Sequence, residues 1–361
     1  MEVGIVGLPG VGKTCLFNAL TSGIVAASQS AAKPNVGMAA VPDDRLAQIN
    51  QYIETQKIVH ATVKFVDIAG LSKSASGGGG LGNKVLSFVR EADAIIEVVR
   101  CFESPDVPHV DGSVDPVRDV ETVELEMVLA DLETVEKNME KQRKHARAME
   151  KDAIANVATL EHVIPELQKG VPLRRMGLKP EQMKFIRLLG LVSDKRVLYI
   201  ANVGENDLEG TSSYAQKLRD HVAKVVVGGI VVPVCAKLEA ELMELPPDDR
   251  AAMLQEMGIK GPALATVTKA AYQLLGLQSF FTVGPDEIRA WPIPVGAHAP
   301  QAAGVIHTDF EKGFIRAEVY HLKDLLELKS EAAVKHAGRV RAEGKNYIFQ
   351  EADIANFLFH K

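Results

Sequence analysis

The chain has 361 residues, 47% of them hydrophobic and 24% charged, with a formal net charge of −6. This length suits two or three domains that each bury a core, and the acidic balance excludes nucleic-acid binding through the whole surface, leaving only a local patch for any RNA contact. Cys15, Cys101 and Cys235 lie far apart without a C-x-x-C pattern, which excludes a disulfide or zinc framework and reads as reduced, buried thiols of a cytosolic protein.

The first predicted strand, Met1–Val6, runs into Gly7-Leu8-Pro9-Gly10-Val11-Gly12-Lys13-Thr14, a complete G-x-x-x-x-G-K-[ST] loop, and Cys15–Leu20 follows with apolar residues at helical spacing. A strand entering a loop at the outset speaks against a cleavable signal peptide, and no apolar run approaches the roughly 18 residues of a membrane span. A cytoplasmic protein without membrane contact is expected. In a strand–loop–helix context the glycines turn backbone N–H groups toward the α- and β-phosphates. The helix N-terminus adds partial positive charge, Lys13 reaches the β/γ-phosphates and the Thr14 hydroxyl can ligand Mg²⁺. A chance match at average residue usage is about a one-per-cent event, so Gly7, Pro9, Gly10, Val11, Gly12, Lys13, Thr14 and Cys15 are taken as a nucleoside triphosphate site.

Further apolar runs at Val36–Val41, Val63–Ile68, Ala94–Val99, Val197–Asn202 and Ile230–Cys235 alternate with helical or loop segments. The pattern predicts an α/β fold with a mostly parallel sheet covered on both faces, whose ligands bind at the carboxyl ends of the strands. Between Glu121 and Lys195 two helical stripes appear: Leu125, Val128, Leu129, Leu132, Val135 and Met139, then Ala153, Val157, Leu160, Ile164 and Leu167. They predict an antiparallel, coiled-coil-like hairpin inserted into the α/β domain. Its tip carries Lys137, Lys141, Arg143, Lys144, Arg147 and Lys151 against Glu140 and Glu150, which reads equally as a solvated end or as a contact surface for RNA or the ribosome. After Gly276 short strands at Phe280–Val283, Glu287–Ile293, Phe314–Tyr320, Tyr347–Phe349 and Ile354–Phe359 surround one helical segment near Pro300–Lys312. The expected domains are 1–120 with 195–275, an inserted 121–194, and a small α+β domain at 276–361.

Three strand ends carry further chemistry. Val63–Ile68 closes in Asp67-Ile68-Ala69-Gly70, a D-x-x-G in which the Asp holds Mg²⁺ through water and the Gly amide senses the γ-phosphate. Leu71 follows where hydrolytic switches often place a water-orienting Gln, and the Gly77–Gly82 run reads as a mobile switch segment. Asn202-Val203-Gly204-Glu205 stands where a guanine-specific switch has Asn-Lys-x-Asp. Lacking the Lys and carrying the longer Glu, it points away from guanine and toward adenine. Cys235-Ala236-Lys237 resembles the Ser-Ala-Lys loop that supports the base from its other side, and reads equally as a plain strand-end turn.

Together with PNVGMAAVPDDRL at 34–46, VDIAGLSKSASGGGGLGN at 66–83, RCFESPDVPHVDGSVDP at 100–116, AKLEAEL at 236–242 and FFTVGPDEIRAWPIPVGAHAPQAAGVIHTDFEKGFIRAEV at 280–319, these residues resemble the Obg-like ATPases, the YchF family, over nearly the whole chain. The resemblance implies a phosphate-loop G domain, a helical coiled-coil insertion and a C-terminal ubiquitin-like TGS domain. It also implies ATP preferred over GTP, Mg²⁺ as cofactor, and docking on the ribosome (large subunit or 70S), with RNA contact through the basic tip and the TGS domain. A monomer is expected. In place of the Gln, the family's catalytic His corresponds to His109, whose neutral imidazole can orient or deprotonate water. Three departures stand out: Ala31 replaces a switch threonine that would be the second Mg²⁺ ligand, Gly10 replaces an Asn and so counts against potassium, and Glu351-Ala352-Asp353 replaces an Asp-Gly-Asp turn. A slow ATPase switch is the expected activity, with an Obg-type GTPase or a non-hydrolysing adaptor as alternatives.

Overall fold

The computed structural model describes residues 1–21, 25–26, 34–68, 83–259 and 261–360, in two units: Met1–Met38 with Lys64–Val267, and Ala39–Val63 with Thr268–Lys361. The first eight strands are β1 (Glu2–Val6), β2 (Val25–Ala26), β3 (Asn35–Ala40), β4 (Lys57–Val59), β5 (Thr62–Asp67), β6 (Ala94–Arg100), β7 (Arg196–Asn202) and β8 (Ile230–Val234). All but β4 form one seven-stranded sheet in the order β2-β3-β5-β1-β6-β7-β8. β1 runs parallel to β5 and β6, β6 to β7 and β7 to β8, while β2 is antiparallel to β3. β6 is buried along its whole length, as a central strand covered on both faces must be, and this is why it reads as an unbroken apolar run.

Helix α1 (Lys13–Thr21) follows β1, and α2 (Asp44–Asn50) and α3 (Asn83–Glu91) precede the hairpin. The hairpin consists of α4 (Pro116–Arg147) and α5 (Lys151–Gln168). Asp115 caps α4 by accepting from the backbone N–H groups of Val117 and Arg118, with Pro116 in the first turn where its missing N–H costs nothing. The hairpin core joins Val128, Val135 and Met139 to Leu160, Val163 and Leu167. Two residues of the expected stripe lie elsewhere: Leu125 and Leu129 are 48% and 51% exposed. The stem's buried face instead carries Val120, Val123 and Met127 together with Asp119, Glu124 and Asp131. An apolar tally misplaces this face because its acids are buried with partners. The first unit continues through α6 (Pro180–Leu188), α7 (Ser213–Val225), α8 (Ala236–Glu244), α9 (Pro247–Glu256) and the start of α10 (Ala263–Leu274).

The second unit holds β9 (Leu277–Thr282), β10 (Glu287–Pro294), α11 (Ala299–Ile306), α12 (Thr308–Lys312), β11 (Phe314–His321), α13 (Leu322–Leu328), α14 (Glu331–His336), β12 (Arg341–Glu343) and β13 (Asp353–Phe359). Its sheet runs β12-β11-β13-β9-β10-β4. β9 and β10 form an antiparallel pair and β13 returns parallel to β9, the ubiquitin-like arrangement. Its core centres on Phe280, Phe349 and Phe357.

Three expectations for this half are corrected. Tyr347–Phe349 is no strand, making only a bridge from Ile348 to His298. β12, α13 and α14 were not foreseen because they are only three, seven and six residues long, too short for a period to show. Residues 39–63, expected in the first domain, belong to the second unit: β4 pairs with β10, and Arg45 reaches Glu351.

Candidate functional site

β1, β5, β6, β7 and β8 all end on the same edge of the sheet, so the segments that follow them converge. The phosphate loop bends through Gly7, Gly10 and Gly12 at φ +142°, +75° and +97°, values that L side chains rarely adopt. Packing closes two of these positions as well. A Cβ on Gly7 would lie 2.4 Å from the Val98 carbonyl, and one on Gly12 would lie 2.4 Å from Asn202 Nδ2.

Lys13 is buried, and its Nζ donates to the Leu8 carbonyl at 2.5 Å. Burial pulls its ammonium down to about 8, against an opposing pull from the Asp67 carboxylate. Thr14 Oγ1 donates to Asp67 Oδ2 at 3.2 Å, and Asp67 is fully buried. A hydroxyl and a carboxylate side by side are hard oxygen donors that fit Mg²⁺. Cys15 stands beside them, its Sγ donating to the Ala236 carbonyl at 3.0 Å.

On the base side, Asn202 is a brace. Its Nδ2 donates to the Val11 carbonyl at 2.8 Å and its Oδ1 accepts from the Ala236 N–H at 3.0 Å, tying the phosphate loop to the start of α8. Val203 is buried, donating its N–H to the Val234 carbonyl at 2.9 Å. Cys235 is the N-cap residue of α8, and its thiol is raised chiefly by burial. Glu205 meets Lys237 in an exposed ion pair at 2.7 Å, the contact that raises Lys237 above its usual value. Sequence placed both beside the base, and the structure joins them to each other.

His109 lies in the segment after β6. Arg100, buried at the end of that strand, donates to the carbonyls of Phe102 at 3.0 Å and Val107 at 2.7 Å and so shapes the segment. The phosphate loop adjoins it: a Cβ on Gly10 would lie 3.6 Å from Val107 Cγ1. The imidazole itself is 3% exposed. Its Nδ1 accepts from the Asp111 N–H at 3.1 Å, so Nε2 carries the proton and donates to Asp119 Oδ2 at 2.8 Å. Both ring nitrogens are therefore occupied by the protein. Oxygens of Asp111 and Asp119 and a ring nitrogen of His109 lie within 4.8 Å of one another, but Arg118 already supplies positive charge there, 3.0 Å from Asp119 and 3.7 Å from Asp111.

Sequence reasoning missed Arg100, Arg118 and Asp119. For Asp119 a signal existed, since it falls in phase with Val120, Val123 and Met127 on the face of α4 that packs inward. Gly70, Leu71, the Gly77–Gly82 run and Ala31 lie outside the described residues.

A sheet whose first strand enters this loop, with Thr14 and Asp67 adjoining and Asn202 bracing the loop, defines a phosphate-loop nucleotide-binding protein of the G-domain type. A family model described as a 50S ribosome-binding GTPase matches residues 2–130, and YchF-GTPase_C, described as a protein of unknown function, matches residues 277–360. "Ribosome-binding ATPase YchF" of Escherichia coli O157:H7 is 48% identical over 362 residues, covering 99% of each chain. The protein of that name from Bacillus subtilis is 43% identical over 368 residues, covering 100% of this chain and 99% of the other. The solved YchF GTPase of Schizosaccharomyces pombe superposes with a TM-score of 0.89 at 34% identity, covering 99% of this chain and 97% of that one. The chain belongs to the YchF family.

Proposed function

We propose that this protein is a slow, Mg²⁺-dependent ATPase that prefers ATP to GTP and switches conformation on the ribosome, as a cytoplasmic monomer. The observation that carries the nucleotide preference is the Glu205–Lys237 ion pair. Guanine recognition needs a carboxylate placed to accept from both N1–H and N2–H₂; Glu205 is one methylene longer than the usual Asp and one of its oxygens already meets Lys237, which weighs against that pairing.

The roles follow from the chain's own groups. Phosphate-loop N–H groups and the Lys13 ammonium hold the β/γ-phosphates. Thr14, and Asp67 through water, hold Mg²⁺, which when bound draws charge from the phosphate oxygens. The Gly70 amide senses the γ-phosphate, and Val203, Cys235 and Ala236 border the base. His109 orients the attacking water. Docking is assigned to the exposed Lys137, Lys141, Arg143, Lys144, Arg147 and Lys151 at the hairpin tip, with ribosomal RNA as the contact, and to the C-terminal unit. The relatives' printed name, ribosome-binding ATPase, supports this reading.

Competition between ATP and GTP tests the preference, and equal affinities would sink it. Lys13→Ala is expected to abolish tight nucleotide binding. With ribosomes present, His109→Ala is expected to leave nucleotide affinity within about twofold while kcat falls by roughly a hundredfold, the size of one general-base contribution. The occupied His109 ring favours a second reading, in which the isolated chain binds ATP without turnover. Single-turnover hydrolysis with and without ribosomes separates the two.

A further inference from the structure

We propose that Asp119, in the first turn of α4, is the positioning residue that keeps His109 in a stored state, and that turnover requires the α4 stem to shift so that the Nε2–Oδ2 hydrogen bond breaks. The inference rests on the reading of His109 as the water-orienting group and adds how it is controlled.

A carboxylate on the far nitrogen of a histidine often serves a working dyad, in which the near nitrogen faces the reacting water. That is not the geometry here. The ring is 3% exposed, and its second nitrogen receives the Asp111 N–H at 3.1 Å. No lone pair is left for water. Neighbouring bonds strengthen the hold: Arg118 pairs with the other oxygen of Asp119 at 3.0 Å and donates to the Ser113 carbonyl at 2.6 Å, which fastens the segment after β6 to the start of α4. The path to the site is nonetheless short, since Val107 and Pro108, immediately before His109, lie beside Gly10 of the phosphate loop.

The stem that carries Asp119 is also tied to the rest of the insertion through Glu124 and Asp131, which lie seven residues apart on the helix. Glu124 accepts from Arg174 and, at 2.8 Å, from Arg175 in the segment after the hairpin returns. Asp131 accepts from the backbone N–H groups of Val192 and Ser193 at 2.8 and 2.7 Å, where the insertion rejoins the sheet. Asp119, Glu124 and Asp131 thus link the catalytic segment, the hairpin's return and the exit from the insertion through one rigid helix. A displacement imposed on the hairpin reaches Asp119 through that helix, and the bond it carries is the one His109 must lose. A partner that grips the basic tip accelerates hydrolysis by this route.

The test combines structure and rate. In the full-length protein without ribosomes, imidazole ¹⁵N shifts are expected to show His109 as the Nε2–H tautomer with a proton protected from exchange. An Nδ1–H tautomer, or a freely exchanging ring proton, overturns the proposal without any variant. Asp119→Ala is expected to raise the ribosome-free single-turnover rate roughly tenfold, about the factor carried by one hydrogen bond to a charged group, with nucleotide Kd unchanged. Adding His109→Ala should cancel the rise, which a loosened fold would not do. Asp119→Asn keeps the shape, serves if the alanine variant does not fold, and is expected to give a smaller rise. An unchanged or lower rate in a folded variant overturns the storage role. If His109→Ala alone leaves ribosome-stimulated hydrolysis unaltered, the water-orienting reading fails first; if it slows that hydrolysis while Asp119 variants do not quicken the ribosome-free rate, only the storage role fails.

Discussion

Lys13 is where the electrostatics of the site become measurable. Its folded value of about 8 lies below the ordinary 10.5 because burial strips water from the ammonium. The unfolded chain therefore binds more protons than the folded chain between those values, so this residue's penalty is full below pH 8 and is relieved as pH rises toward 10.5. Phosphate oxygens restore the charged form. Nucleotide binding at pH about 9 is thus expected to take up close to one proton, which calorimetry in buffers of different ionisation enthalpy would detect. Uptake that persists in a Lys13 variant still able to bind would show that another group is responsible. A second residue-scale effect sits at Ala352, held at φ +66° with its N–H on the Ser279 carbonyl at 2.9 Å. A methyl group in that region costs on the order of 1 kcal/mol, which glycine's greater freedom in the unfolded chain partly offsets. Ala352→Gly is expected to stabilise the second unit by up to about 1 kcal/mol in chemical denaturation.

At the scale of the element, α4 decides most about the site. The Glu124 carboxylate lies buried between two guanidinium groups, and burial also holds Glu97, near Arg174, well above the ordinary carboxylate range. Removing the anion while leaving both cations is far costlier than the pair is worth. Glu124→Ala should lose about 3 kcal/mol in urea unfolding, and a loss under about 1 would mean that water reaches the arginines. The sequence announced the hairpin because four-and-three apolar spacing is local. Its stem face was illegible, since the stripe mixes valines with acids whose partners, Arg174 and Ser193, lie 50 and 62 residues away. Leu125 and Leu129 fit the apolar count and yet face outward.

At the scale of the whole molecule, Arg45 makes the longest reach in sequence among the described residues. It pairs with Asp43 at 2.7 Å and with Glu351, and stands 5.1 Å over the Phe281 ring, while Glu351 also accepts from the Ser279 N–H at 3.0 Å. Arg45→Ala should therefore raise hydrogen exchange at Ser279 and Ala352, far from the substitution in sequence. A change confined to residues 39–63 would mean that this segment merely decorates the unit.

The triphosphate loop, the parallel strands and the order of the motifs are legible in the sequence, because each rests on neighbours within a few residues: glycines that allow a positive φ, and apolar runs that a doubly covered sheet requires. The sequence also pointed away from guanine, through the residue types at 202–205. How those motifs meet depends on the folded chain. Asn202 braces the phosphate loop, Glu205 closes on Lys237, His109 is held by Asp119, and residues 39–63 join the C-terminal sheet. Each of these depends on a partner brought close by folding, and no local pattern encodes the distance between two side chains on different elements.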